Sequence, residues 1–227
     1  MSPARTLQLA TIAALLASLG DLLLLYFANA QRPELGLPAI GSAWLGVGGV
    51  LGAVAIPVYG LGYRAASRPL AEASPGAARV VTSAGIAIGL IGGLIHALTA
   101  MYISTHNGES APAAANADPI AAIVASGPLL PALWSIAALL VLVASVPFAW
   151  LVGRGRTSAP PGLAFANPAL LTVVIAVVGL PSVLLQAFLP PAAPNLAHVV
   201  FFFACARAWR RGDVPGSALE ASSGSGG

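Results

Sequence analysis

The chain has 227 residues, of which 58% are hydrophobic and only 7% charged, and its formal net charge is +3. A soluble domain carries about 25% charged residues, so this composition excludes a soluble globular protein and indicates an integral membrane protein. The ten basic residues are all arginines that lie near the ends of apolar segments. That distribution is typical of topology determinants and lipid contacts, and it predicts no nucleic-acid binding.

Six apolar segments are candidates for transmembrane helices, each of which needs about 20 residues. They cover approximately residues 7–28, 40–63, 80–104, 129–152, 168–189 and 196–208. The sixth is short, and we expect it to continue through Trp209 with Arg210 and Arg211 at the membrane interface. Backbone polar groups in hydrocarbon must be satisfied internally, so every segment is predicted to be helical. The predicted fold is therefore all-α, a polytopic bundle of six transmembrane helices in one domain over residues 1–216, and residues 217–227 resemble an expression linker.

The arginines predict the orientation of this bundle. With six spans, only Arg32 falls on one side of the membrane, and nine arginines fall on the other: Arg5, Arg64, Arg68, Arg79, Arg154, Arg156, Arg207, Arg210 and Arg211. Positively charged loops stay in the cytoplasm, so both termini are predicted to be cytoplasmic, in a bacterial inner (plasma) membrane. The loop between the third and fourth spans contains Asp118-Pro119 before an apolar run. This pattern predicts a short extra helix in that loop.

Three ionisable side chains, Asp21, His96 and His198, fall inside the apolar segments. Such groups are costly at membrane depth and usually face the bundle interior, where they have a partner or a function. The predicted orientation places all three in the outer half of the membrane, so we expect them to line one pocket. Polar and aromatic side chains from the same region are candidate substrate-binding residues: Tyr26, Trp44, Thr99, Tyr102, Trp134 and Gln186.

Three interpretations of this set are open. Asp21 could orient a histidine that acts as general acid or base on a lipid-like substrate. Alternatively, Asp21, His96 and His198 could bind a metal ion such as Zn²⁺, because three N or O ligands and one open position form the usual catalytic zinc site. In the third interpretation, the side chains only hydrogen-bond between helices and stabilise the bundle.

Glycines and prolines predict how the helices pack. Gly48 and Gly52 in the second span, and Gly85 and Gly89 in the third, have the spacing that lets helix backbones approach closely. These faces are predicted to pack within the monomer or to form a homodimer. Prolines in the segment 190–195 predict a stiff outer turn between the fifth and sixth spans.

Two of these segments resemble a known family. The segment SLGDLLL at residues 18–24 resembles the Gly-Asp span motif of the lysoplasmalogenase family of membrane alkenyl-ether hydrolases. The segment GLIHAL at residues 93–98, followed by Tyr102, is similar to a histidine-bearing span of that family. The resemblance implies hydrolysis of a lipid ether by water activated at a carboxylate, here Asp21. Members of that family have more spans and a second aspartate-bearing helix, which this chain lacks.

The functional prediction follows from the pocket and the class of protein. We expect an integral membrane enzyme that acts on a lipidic or amphipathic small molecule by hydrolysis or general acid/base chemistry. A non-catalytic binder or transporter of a small hydrophobic molecule is the first alternative, and a structural or assembly membrane protein is the second. The expected partners are a lipid or small hydrophobic molecule and the membrane, and zinc is the one cofactor considered.

Overall fold

A computed structural model of the chain describes residues 1–30, 35–106 and 127–210. Within these ranges there is no β-strand, which confirms the all-α prediction. The helices are α1 (Pro3–Asn29), α2 (Ala43–Ala55), α3 (Tyr59–Ala66), α4 (Arg68–Ala73), α5 (Pro75–His106), α6 (Leu129–Gly153), α7 (Pro168–Gly179) and α8 (Val183–Arg210). Short 3₁₀ segments, Ile56–Val58 and Pro161–Ala166, join α2 to α3 and precede α7.

Five helical segments among the described residues are long and apolar enough to span a membrane. They are Pro3–Asn29, Ala43–Ala66, Pro75–Thr105, Leu129–Gly153 and Val183–Arg210. The second of them combines α2 and α3, which are separated at Pro57 because proline has no backbone N–H to donate. The structure therefore confirms a polytopic helical bundle, while a sixth span and the orientation of the termini remain predictions.

The boundary between the fifth and sixth predicted spans is wrong. Helix α7 ends at Gly179 after only 12 residues, and α8 begins at Val183 and continues through Pro190, Pro191 and Pro194. The predicted outer turn at residues 190–195 is therefore helical, and the chain reverses at residues 180–182 instead. The extra helix predicted after Asp118 and the linker at 217–227 lie outside the described residues.

At Pro191 of helix α8, a side chain from a neighbouring helix replaces the missing backbone hydrogen bond. Pro191 has no N–H for the carbonyl of Ala187, four residues earlier in the helix. The Asn29 side chain of α1 donates its Nδ2–H to that carbonyl at 3.2 Å, and also to the Leu25 carbonyl at 2.8 Å. Membrane helices tolerate prolines where such partners satisfy the freed carbonyls.

The packing of the helices determines which residues share a level in the bundle. Helices α1 and α5 both run antiparallel to the second span, as two close approaches show for each: Gly20–Gly48 and Ala10–Gly62 for α1, and Ala100–Gly49 and Gly85–Tyr63 for α5. Helices α1 and α5 are therefore parallel to each other. This arrangement brings Asp21 of α1 and His96 of α5 to the same level.

The glycines predicted to mediate close packing do so inside the chain. Gly48 faces α1, Gly52 faces His96 of α5, and Gly85 and Gly89 face the second span. The intramolecular role predicted for these faces is confirmed. A homodimer through the same faces remains a prediction.

Candidate functional site

A cavity of about 290 Å³ lies in the middle of the bundle, with walls from the five long helical segments and α7. Asp21, His96 and His198 all line it, so the structure brings the three predicted residues to one cavity. The other polar or amphipathic lining residues are Tyr59, Trp134, Thr172 and Asn195. The rest of the wall is apolar, as in small-molecule sites, where a few polar groups orient a ligand within a hydrophobic pocket.

The Asp21 carboxylate is the centre of a hydrogen-bonded network. Its Oδ1 lies 2.7 Å from His96 Nε2, and its Oδ2 accepts a hydrogen bond of 2.7 Å from Asn195 Nδ2. Tyr59 donates its hydroxyl to Asn195 Oδ1 at 2.7 Å, which orients the amide so that its NH₂ group faces Asp21. We call these four side chains the Asp21 network. Helices α1, α3, α5 and α8 contribute one residue each.

The position of one proton follows from this geometry. An amide nitrogen can only donate, so Asp21 Oδ2 is the acceptor for Asn195. The mobile proton of the Asp21–His96 pair therefore lies between Oδ1 and Nε2. The two side chains are 13% and 6% exposed, respectively, and hydrogen bonds in such low-dielectric surroundings are stronger than in water. The arrangement can hold and transfer one proton at the cavity wall, which is the requirement for acid/base chemistry.

Close helix packing places the His96 ring against the backbone of the second span. A Cβ atom at Gly52 would lie 2.1 Å from His96 Nδ1, and one at Gly20 would lie 3.2 Å from its Cε1. Only glycine therefore fits at position 52 with the ring in this place. No polar atom of the described residues hydrogen-bonds to His96 Nδ1. The interaction with Asp21 is thus the hydrogen bond that orients this ring.

His198 has a different environment. Its Nδ1 lies 2.6 Å from the Pro194 carbonyl, and its Nε2 lies 2.9 Å from the Tyr63 hydroxyl. A carbonyl only accepts, so Nδ1 carries the hydrogen, and Nε2 of the neutral ring accepts from Tyr63. The ring is stacked on Tyr59 at 4.6 Å between centroids and lies edge-on to Tyr63. We call His198, Tyr63 and Pro194 the His198 cluster.

Because both nitrogens of His198 are bonded within the protein, its ring borders the cavity without offering it a base. The side chain is 2% exposed. The structure therefore places His198 at the predicted cavity, but hydrogen bonds and aromatic contacts within the protein occupy its ring. The Asp21–His96 pair holds the proton that chemistry would use.

The described residues do not form the predicted metal site. Among them, no three His, Cys, Asp or Glu side chains are arranged to hold a metal ion. In this structure Asp21 Oδ1 lies beside His96 Nε2, while Tyr63 and Pro194 contact the two nitrogens of His198, so zinc binding by Asp21, His96 and His198 stays a prediction.

Of the six predicted substrate-binding residues, Trp134 lines the cavity. Tyr26 packs against Phe188, and Trp44 and Gln186 are exposed. Thr99 and Tyr102 lie on α5 beyond His96 and are partly buried. These five residues are not among those that line the cavity, because they lie nearer the helix ends than Asp21 and His96 do.

Sequence reasoning missed Asn195 and Tyr59. Asn195 lies in the segment whose prolines predict a turn, and that prediction conceals its position three residues before His198 on one helix. Residues at that spacing share a helix face, so a helical assignment would have placed both beside Asp21. Tyr59 carried no distinguishing signal, because tyrosines are also common in membrane helices near interfaces.

The fold and the site define a polytopic helical membrane protein with a part-buried Asp–His pair at an intramembrane cavity. Residues 2–212 of the chain match a family described as a family of unknown function, DUF6796, and the chain belongs to that family. Neither a curated protein nor a solved structure matches it.

Proposed function

We propose that the protein is an integral membrane enzyme that acts on a lipidic or amphipathic small molecule by hydrolysis or general acid/base chemistry in this cavity. One observation carries the proposal: the part-buried Asp21–His96 pair, with 2.7 Å between Oδ1 and Nε2, lies in the wall of a largely apolar cavity. Structural hydrogen bonds between membrane helices do not require an adjoining cavity. An acid/base site requires one, because the substrate must reach the proton.

The resemblance to the alkenyl-ether hydrolases supports one specific reaction. The proton shared by Asp21 and His96 is added to the β-carbon of the enol ether, which leaves an oxocarbenium ion. Water adds to the adjacent carbon and returns a proton to the pair. The resulting hemiacetal breaks its C–O bond to give an alcohol and an aldehyde. Positioned acid/base groups contribute about 10²- to 10⁴-fold to such rates.

Asn195 and Tyr59 act as positioning residues in this proposal. The Asn195 amide bonds Asp21 Oδ2, so Oδ1 is directed at His96. Tyr59 in turn orients the amide of Asn195. Neither side chain needs to touch the substrate for this role.

The reaction can be tested with purified protein in liposomes that contain an uncharged 1-alkenyl glycerol, with released fatty aldehyde as the measured product. We expect wild-type protein to release aldehyde and Asp21→Asn to do so about 100-fold more slowly or less. Glu72→Gln is the matched control, because it neutralises an exposed carboxylate on α4, away from the cavity. Equal rates for wild type and Asp21→Asn would reject the proposal.

The alternative of a non-catalytic binder or transporter has one observation in its favour. Both carboxylate oxygens of Asp21 already accept hydrogen bonds within the protein, so the network is complete without a ligand. A binder would retain a small hydrophobic molecule in the cavity without converting it. Ligand uptake by wild type without aldehyde release, or without any change in the lipids of membranes that contain it, would support this alternative.

We also propose that both termini lie in the cytoplasm of a bacterial inner membrane. Arginines at the end of the second span (Arg64, Arg68) and after α6 (Arg154, Arg156) support this orientation. The native Cys205 is buried, so introduced cysteines can be labelled selectively in intact cells with an impermeant maleimide. We expect labelling of Ser42→Cys and none of Glu72→Cys, and the reverse pattern would contradict this orientation.

A further inference from the structure

We propose that the cavity takes the uncharged polar group of a single-chain amphiphile, which enters sideways from the lipid between α6 and α7, and that it excludes anionic groups. This inference deepens the proposed function, on which it rests for the identity of the site. Three properties of the cavity carry it: its opening, its volume and its charge.

The opening follows from the packing of α6 and α7. Helix α6 packs mainly on α5, and α7 packs mainly on α8, whereas α6 and α7 contact each other much less. Trp134, Ala138 and Leu142 of α6 line the cavity, and so does Thr172 of α7. Trp134 and Leu142 are also 36% and 51% exposed on the surface of the bundle. The cavity therefore reaches the apolar outer surface at the seam between α6 and α7, where lipid chains are the surrounding solvent.

The volume limits how much of a ligand fits. Small-molecule pockets have volumes of about 300–1,000 Å³, so a cavity of about 290 Å³ lies at the small end of that range. A complete two-chain lipid does not fit in this space. A polar group and the first carbons of one chain do, and the remaining chain would extend through the seam into the bilayer.

The charge of the wall decides which polar group is accepted. Among the lining residues that the structure describes, Asp21 carries the only carboxylate and no arginine is present. No net positive charge at the cavity wall compensates an anion, because the Asp21 carboxylate balances any charge on His96 and both nitrogens of His198 are bonded within the protein. Burying an unpaired anion costs far more than burying a hydroxyl or ether that finds a hydrogen bond. A phosphate or carboxylate on the ligand would therefore remain outside the cavity.

The native fluorescence of Trp134 can test this selectivity. Full-length protein in nanodiscs is titrated with 11-bromoundecanol or 11-bromoundecanoate at pH 8, since bromine quenches nearby tryptophans. These probes have the same chain and differ in head-group charge. We expect saturable quenching by the alcohol that is absent in Trp134→Phe, and saturation by the carboxylate only at about tenfold or higher membrane concentration.

Two substitutions on α6 control for non-specific partition into the bilayer. Ala138→Phe narrows the cavity mouth and is expected to abolish saturable quenching, whereas Ala132→Phe, at an exposed position away from the cavity, is expected to preserve it. Thermal unfolding confirms that both variants are folded. Equal saturation by alcohol and carboxylate, or saturation that survives Ala138→Phe, would overturn the inference.

The outcome also separates this inference from the proposed enzyme. Saturable, alcohol-selective quenching without aldehyde release retains the inference and rejects hydrolysis. Aldehyde release by a protein that binds both head groups equally retains hydrolysis and rejects the selectivity.

Discussion

The two intramembrane histidines, His96 and His198, differ in the hydrogen-bonding partners of their ring nitrogens. His96 has one hydrogen-bonding partner among the described residues, the Asp21 carboxylate, and its neighbour on the other side is the bare backbone at Gly52. His198 has a partner at each nitrogen and aromatic rings against its faces. The depth of an imidazole in the membrane therefore does not define its role. The partners of its two nitrogens do.

The largest expected effect separates the histidines by rate. His96→Gln removes the group that shares a proton with Asp21, so we expect aldehyde release to fall by about 10²- to 10⁴-fold. His198→Gln should change the rate by less than about tenfold, because no proton of His198 is available to the cavity. Rates in proteoliposomes, normalised to folded protein, measure both. A larger loss with His198→Gln than with His96→Gln would reverse the comparison.

A second prediction moves His96 without replacing it. In Gly52→Ala, the new Cβ would lie 2.1 Å from His96 Nδ1, so the ring must shift away from its position beside Asp21. We expect a loss of about 1–3 kcal/mol in the free energy of unfolding, as for other overpacked cores, together with a lower rate. Gly46→Ala is the matched control on the same helix, because its Cβ would meet no atom within 4 Å. Equal stability and rate in both variants would show that the close packing at Gly52 is unimportant.

A third prediction compares the removal of one hydroxyl from the Asp21 network with the removal of one from the His198 cluster. Tyr63→Phe leaves His198 Nε2 without its donor, and Tyr59→Phe leaves Asn195 Oδ1 without its donor. Each should lower the free energy of unfolding by about 1–3 kcal/mol. Only Tyr59→Phe should also lower the rate, by about fivefold, since it loosens the positioning of Asp21. Denaturant unfolding and rate measurements on the two variants give the comparison, which fails if Tyr63→Phe has the larger effect on rate.

The substitution with the smallest expected effect should change the Asp21 network and the His198 cluster to the same extent. Asn29→Leu removes the donor to the Ala187 carbonyl in the segment of α8 that precedes Asn195 and His198. Interhelical hydrogen bonds in membrane proteins contribute about 0.6 kcal/mol on average, so we expect a loss of that order in stability and little change in rate. A loss well above about 2 kcal/mol would indicate that this bond also determines the path of α8.

The sequence predicted the class of protein and part of the site for clear physical reasons. Uninterrupted apolar segments with arginines at their ends predicted α1, α5 and α6 closely, since length and hydropathy decide membrane insertion. The contact between Asp21 and His96 follows from their similar depth in the membrane, because residues at the same depth in two parallel helices lie at one level of the bundle. Depth did not predict which way His198 faces, so its partners Tyr63 and Pro194 were missed.

The errors around α8 have a common cause. The predicted turn at Pro190, Pro191 and Pro194 rests on the rule that proline ends a helix, which holds where water can satisfy the freed backbone groups. In the bundle, a distant side chain, Asn29, satisfies one freed carbonyl instead. Such a compensation depends on tertiary packing over 158 residues of sequence separation, and no local pattern reports it. The misassigned turn then hid Asn195 from the predicted site.

The hydrogen bond from Asn29 to α8 also has a consequence for biosynthesis. A helix that carries three prolines enters the bilayer with unpaired carbonyls, and hydrocarbon offers them no substitute donor. Helix α1 is synthesised well before α8. Asn29 can therefore bond the Ala187 carbonyl only after α8 has left the ribosome. Packing of α1 against α8 would therefore be a late event of co-translational assembly, and the cavity would be completed only then.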